Sequence, residues 1–86
     1  MKFGLARTKK FKRSFKKLRL KDSDETIYID MVSKLLNGIP LDKKYKDHFL
    51  KGNPEQYKEC HLKPDLLLIY RAYKDEVQLI DIGSHS

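Results

Sequence analysis

Four residues of this chain are suited to moving protons near neutral pH: His48, His61, Asp65 and His85. An imidazole titrates near pH 6.5 when nothing perturbs it, so it can serve as acid or as base. In "ECHLKPD", residues 59 to 65, His61 precedes a short turn and Asp65 follows it. A carboxylate that close can orient the ring and favour its charged form. His85 comes two residues after Gly83. Taken singly, each has an ordinary reading, a surface histidine or a turn aspartate after a proline. Their joint use requires a fold that gathers them. The one cysteine, Cys60, rules out an intramolecular disulfide. No Cys/His spacing matches a structural zinc site, so neither a metal nor a cofactor is expected.

The surrounding periodicities say which elements must do the gathering. Residues 2 to 6, "KFGLA", suit a short first strand. Thr8 is placed to cap "KKFKRSFKKLRL", in which Phe11, Phe15 and Leu18 recur at helical spacing among bases. "KDSDETIYID" then starts a second helix, with Asp22 and Glu25 at capping-box spacing. Its apolar face holds Ile27, Met31 and Leu35, and Asn37-Gly38 followed by Pro40 ends it. "LDKKYKDHFLKGNPEQ" has no clean period and reads as an ordered loop.

Beyond it the period becomes two. "YKECHL" puts Tyr57, Glu59 and His61 on one face and Lys58, Cys60 and Leu62 on the other. "LLLIYRAY" is the near-continuous apolar run of a central strand, and "EVQLIDI" is the last strand after a turn at Lys74-Asp75. The order is βααβββ in a single α+β domain, residues 1–86, an antiparallel sheet with a helical hairpin packed on one face. If the last two strands pair antiparallel, His61, Asp65 and His85 fall at one end of the sheet.

Charge adds a partner class. The net charge is +7, and ten of the nineteen bases lie in residues 1–21, which contain no acid. The other 65 residues carry nine bases and all twelve acids. A basic segment on a mildly acidic body points to a polyanion, nucleic acid first, because each neutralised phosphate releases counterions. No stretch approaches the roughly 18 apolar residues of a membrane span, and the N-terminus has no apolar signal region, so a cytoplasmic protein without a membrane partner is expected.

"KYKDHFLKG", "YKECHLKPDLLLIY" and "IGSHS", in this order after a basic helical hairpin, resemble the RelE superfamily of bacterial toxins, and within it the YafQ branch. The elements "DH-x-LKG", "H-x-x-PD-x-x-LIY" and "G-[ST]-H" are specific in combination, and the resemblance covers nearly the whole chain. It implies a RelE-like fold and the toxin of a type II toxin–antitoxin pair, a metal-free endoribonuclease that cuts mRNA in the ribosomal A site. His48, His61, Asp65 and His85 would then be catalytic, with His85 the acid and the base drawn from His48 or the His61/Asp65 pair. Lys51 and Arg71 would contact phosphate. Lys9, Lys10, Lys12, Arg13, Lys16 and Lys17 would rest on ribosomal RNA. An acidic antitoxin of RelB/DinJ type is the implied protein partner, beside the ribosome and mRNA. Three positions depart from the family pattern. Asp81 stands where an arginine is common, Leu66 where tryptophan often follows the aspartate, and Ser86 ends the chain where relatives usually run on to an aromatic. A gyrase-binding, ParE-like toxin without catalysis and a plain basic RNA-binding module are the alternatives.

Overall fold

A computed structural model of the chain describes residues 2–84. Strand β1 (Gly4–Arg7) leads into helix α1 (Lys9–Leu18) and helix α2 (Asp22–Leu36), followed by a 3-10 turn (Lys43–Tyr45). Four strands complete the chain: β2 (His48–Phe49), β3 (Lys58–Lys63), β4 (Leu66–Tyr73) and β5 (Glu76–Ser84). They form one sheet in the order β1-β5-β4-β3-β2. The βααβββ reading holds, with two additions. β1 pairs parallel with β5 at one edge, so the sheet is mixed. The stretch read as a loop contributes β2, antiparallel to β3, at the other edge.

Local chemistry explains the helix boundaries. Thr8 Oγ1 accepts from the backbone N–H of Phe11 at 2.9 Å and donates to the carbonyl of Ile80 at 2.8 Å, so the cap also fastens α1 to β5. Phe11 and Phe15 pack against each other and both against Tyr28 of α2. The expected capping box on α2 does not form. The helix starts one residue earlier, with Lys21 as N-cap and no side-chain cap bond. Asp22, Asp24 and Glu25 thereby fall in the first turn, where they face the positive end of the helix dipole. Gly38 takes φ +68° after the helix, a conformation that suits a residue without Cβ.

The helices cover one sheet face. Phe11, Met31, Val32 and Leu36 meet Cys60, Leu62, Leu68, Tyr70, Val77, Leu79 and Ile82 in a single core. Leu79 and Ile82 both enter it although three residues apart, because β5 bulges: Tyr70 pairs with Leu79 and Ile69 with Asp81, leaving Ile80 as the extra residue. The bulge also turns Asp81 to the uncovered face.

Cys60 is fully buried, 3.3 Å from the Met31 sulfur, and burial, with the Asp47 charge adding to it, pushes its thiol up to about 12 from 9.0. It is therefore a packed thiol rather than a nucleophile. The unfolded thiol ionises near its ordinary value while the folded one keeps its proton. Stability from this group is complete below pH 9 and falls as pH rises towards 12, by up to about 1.4 kcal/mol per pH unit. Urea unfolding across that range should show a steeper alkaline loss for the native chain than for Cys60→Ala.

Candidate active site

The uncovered sheet face gathers the chemistry, and strand register decides which residues share it. His48 pairs with Glu59, Glu59 with Ile69, and Ile69 with Asp81, so these four side chains form one row across β2, β3, β4 and β5. The next row holds His61, Leu67 and Gly83. Successive strands lie about 4.8 Å apart, so neighbours in a row are within side-chain reach.

Glu59 stands between the two described histidines. Its Oε1 is 3.5 Å from His48 Nε2 and 3.9 Å from His61 Nε2, and the two rings are 6.5 Å apart between centroids. His48 Nδ1 lies 2.5 Å from the Lys46 carbonyl oxygen. A carbonyl only accepts, so Nδ1 carries the proton and Nε2 is left as the ring's acceptor nitrogen. It faces Glu59 and, with half of the His48 side chain exposed, also faces solvent. Periodicity had already put Glu59 beside His61, but nothing marked it as their shared carboxylate.

Asp47 is the second residue whose part the sequence left unassigned. Its carboxylate accepts a 2.5 Å hydrogen bond from the Tyr70 hydroxyl through Oδ1 and pairs through Oδ2 with Lys58 Nζ at 2.8 Å. Burial, followed by this hydrogen bond, drives the Tyr70 phenol far above its usual range. The link ties the segment carrying His48 to the central strand, and the adjacent "DH" pair was its only trace in the sequence.

The other expected site residues are more scattered. Asp65 sits in the Pro64-Asp65 turn and lines a depression with Arg19, Lys21, Asp24 and Lys63. His61 lines a different one. Among the described residues, the carboxylate within ion-pair distance of His61 is Glu59. His85 lies outside the described residues. Lys51 is exposed just past β2. Arg71 lies farther along the open face between Tyr57 and Tyr73, its guanidinium 5.9 and 4.5 Å from their rings, and donates through Nε to Gln78 Oε1 at 2.7 Å. Lys9, Lys10, Lys12, Arg13, Lys16 and Lys17 are exposed along α1.

Asp81 has structural partners. Its Oδ1 accepts from the Ser14 hydroxyl at 2.6 Å and from the Ile82 N–H at 2.9 Å, and Oδ2 is 3.5 Å from Lys10 Nζ. The side chain clamps α1 to β5 while lining a depression of about 110 Å³ with Leu67, Ile69 and Gly83. Asp81→Ala should therefore lower stability by about 1–2 kcal/mol, measured by urea unfolding, since the Ser14 hydroxyl loses its acceptor.

Comparison with known proteins fits this architecture. The family described as "Bacterial toxin of type II toxin-antitoxin system, YafQ" matches residues 4–86. The "mRNA interferase toxin YafQ" of Escherichia coli K12 is 34% identical over 68 residues, 79% of this chain and 73% of that protein. A Haemophilus influenzae relative is 38% identical over 63 residues, 69% of this chain, and the match spans only 62% of that protein's length. Among solved structures, a metal-bound toxin from Helicobacter pylori superposes with a TM-score of 0.87 at 39% identity, covering 96% of this chain and 94% of that one. The Escherichia coli DinJ-YafQ complex gives 0.77 at 28% identity, over 96% and 93%. Among the described residues of this chain no group of three or more His, Cys, Asp or Glu side chains is placed to hold a metal ion.

Proposed function

The chain belongs to the YafQ family of type II toxin–antitoxin toxins, and from that premise we propose that it is a ribosome-dependent mRNA endoribonuclease. The observation carrying this reading is the convergence of two imidazoles on Glu59 over an uncovered sheet face. A ribose 2′-oxygen attacks the adjacent phosphorus. The 2′ proton passes to a base, the P–O5′ bond breaks, and the departing 5′-oxygen takes a proton from an acid. His48 supplies the base through Nε2, since its Nδ1 proton is held by the Lys46 carbonyl. His61 lies beside the same carboxylate, where its ring steadies the phosphate or shares the proton traffic. His85 is the acid. Asp65 acts from the turn on the basic depression around Lys63 rather than on the His61 ring.

Asp81 takes no proton in this scheme. It leaves the open face without the cation that the family pattern places there, so phosphorane charge falls to the remaining bases, Lys51 and Arg71 among them. The exposed cations of α1 rest on ribosomal RNA and select no sequence.

The partner that silences the toxin is an acidic, DinJ-like antitoxin, consistent with the complex formed by the Escherichia coli relative and with the basic surface of α1. The compartment is the bacterial cytoplasm. Among the described residues no helix is long and apolar enough to cross a membrane. The chemistry is tested on the products: mass spectrometry of the cut mRNA should find a 2′,3′-cyclic phosphate upstream and a free 5′-hydroxyl downstream. A 5′-phosphate would exclude attack by the ribose oxygen.

A further inference from the structure

A second feature adjoins the histidine pair on the helix side. Between α2, the 3-10 turn and the end of β3 lies a cavity of about 410 Å³. Ile27, Tyr45, Leu62 and Pro64 give it apolar walls, His61 forms one side, and Lys44, Lys46 and Lys63 also line it. It stays open because β2 covers β3 only at Lys58 and Glu59, so residues 61–63 have no strand beside them at that edge. We propose that this cavity is a nucleotide subsite, receiving one base and its phosphate from the RNA strand beside the bond that is cut.

Three observations carry the assignment. The volume is that of a small-ligand pocket, roughly 300–1,000 Å³, and apolar walls with a few polar groups are what a flat base needs. Tyr45 is half-buried in the wall with Lys44 Nζ 5.2 Å from its ring centroid, so a base that reaches this ring also meets a cation beside it. The cations select the ligand's charge. Lys63 is already paired with Asp24 at 2.9 Å, whereas Lys44 and Lys46 are exposed and have no acidic partner among the described residues. Two unneutralised ammonium groups beside an apolar slot favour a phosphate attached to a base over a neutral ligand. His61 belongs both to this cavity and to the cluster with Glu59, so a nucleotide seated here leaves its neighbouring phosphate at the histidines. The subsite takes its substrate class from the nuclease reading. Its geometry is independent of it.

The test is an NMR titration of the full chain with a 2′-O-methylated RNA trinucleotide, which cannot be cut through the 2′-oxygen and so reports binding alone. Shifts should concentrate on the amides of residues 44–46 and 61–63. Lys44→Glu/Lys46→Glu should weaken binding at least tenfold, and the milder Lys44→Gln/Lys46→Gln several-fold. Lys74→Gln, at the turn between β4 and β5 and away from the cavity, should leave these local shifts in place. Shifts confined to α1, or unchanged affinity in both cavity variants, would overturn the subsite. So would an acidic peptide that occupies the cavity when the trinucleotide does not. Binding here by a chain that cuts no mRNA would count against the nuclease and not the subsite. Cutting with the cavity empty would count the other way.

Discussion

His48→Ala should slow mRNA cleavage by about 10²–10⁴-fold, the span expected when a positioned general base is lost. The side chain is half exposed and outside the core, so unfolding should shift by no more than about 0.5 kcal/mol. The specificity of this prediction lies in Nδ1. Because Nδ1–H donates to the Lys46 carbonyl, only Nε2 is available to the substrate. His48→Gln, which can present a polar atom there but cannot accept and return a proton near neutral pH, should be nearly as inactive as alanine. Glu59→Gln keeps both imidazoles and the hydrogen-bonding shape of the side chain while removing the charge they share. Its loss of rate should be smaller, about 10-fold. Single-turnover cleavage by purified variants, with thermal melts in parallel, separates these outcomes.

The second large effect is on the scaffold. Asp47→Ala should cost about 2–3 kcal/mol and lower the melting temperature on the order of 10 °C. It strands two groups at once, the Tyr70 hydroxyl, which has no other acceptor among the described residues, and the Lys58 ammonium. Lys58 keeps its approach to the Phe49 and Tyr70 rings, at 5.1 and 5.8 Å, which limits the loss. Asp47→Asn retains an acceptor for Tyr70 and should cost about half as much. Because Asp47 immediately precedes His48, cleavage should fall even at temperatures where Asp47→Ala is fully folded. Asp42→Ala is the control. That carboxylate caps only the 3-10 turn, accepting from the Lys44 N–H at 3.0 Å, and should cost at most about 1 kcal/mol.

The elements that the sequence reveals are those with a long period. Phe11, Phe15 and Leu18 define α1, and "LLLIYRAY" spans β4 without error. β2 is invisible in advance because two residues carry no period, and its pairing is set by β3 and by Asp47. The parallel union of β1 with β5 is equally silent, since direction of pairing depends on the path through the helical hairpin and not on local alternation. At the candidate site the histidines were readable from their residue type, and the sharing of Glu59 was not. Alternation aligned Glu59 with His61, but the second imidazole arrives from β2, whose existence had no signal. The expected His61/Asp65 pairing passed over the irregular end of β3, where His61 pairs with Leu67 and Lys63 with Leu66. With Leu62 as an extra residue, local chain distance no longer measures side-chain separation. Asp81 could be seen as a departure, but only the contact with Ser14 reveals its work.

The central claim is that the histidine face cuts mRNA on the ribosome. Primer extension on a defined mRNA in a purified translation system tests it most directly, comparing the native chain with His48→Ala and His61→Ala, with ribosomes present and absent. Cuts should fall within A-site codons only when ribosomes are present, and both variants should lose them. Equal cutting by His48→Ala and the native chain, or none by a folded native chain on ribosomes with a vacant A site, would contradict it.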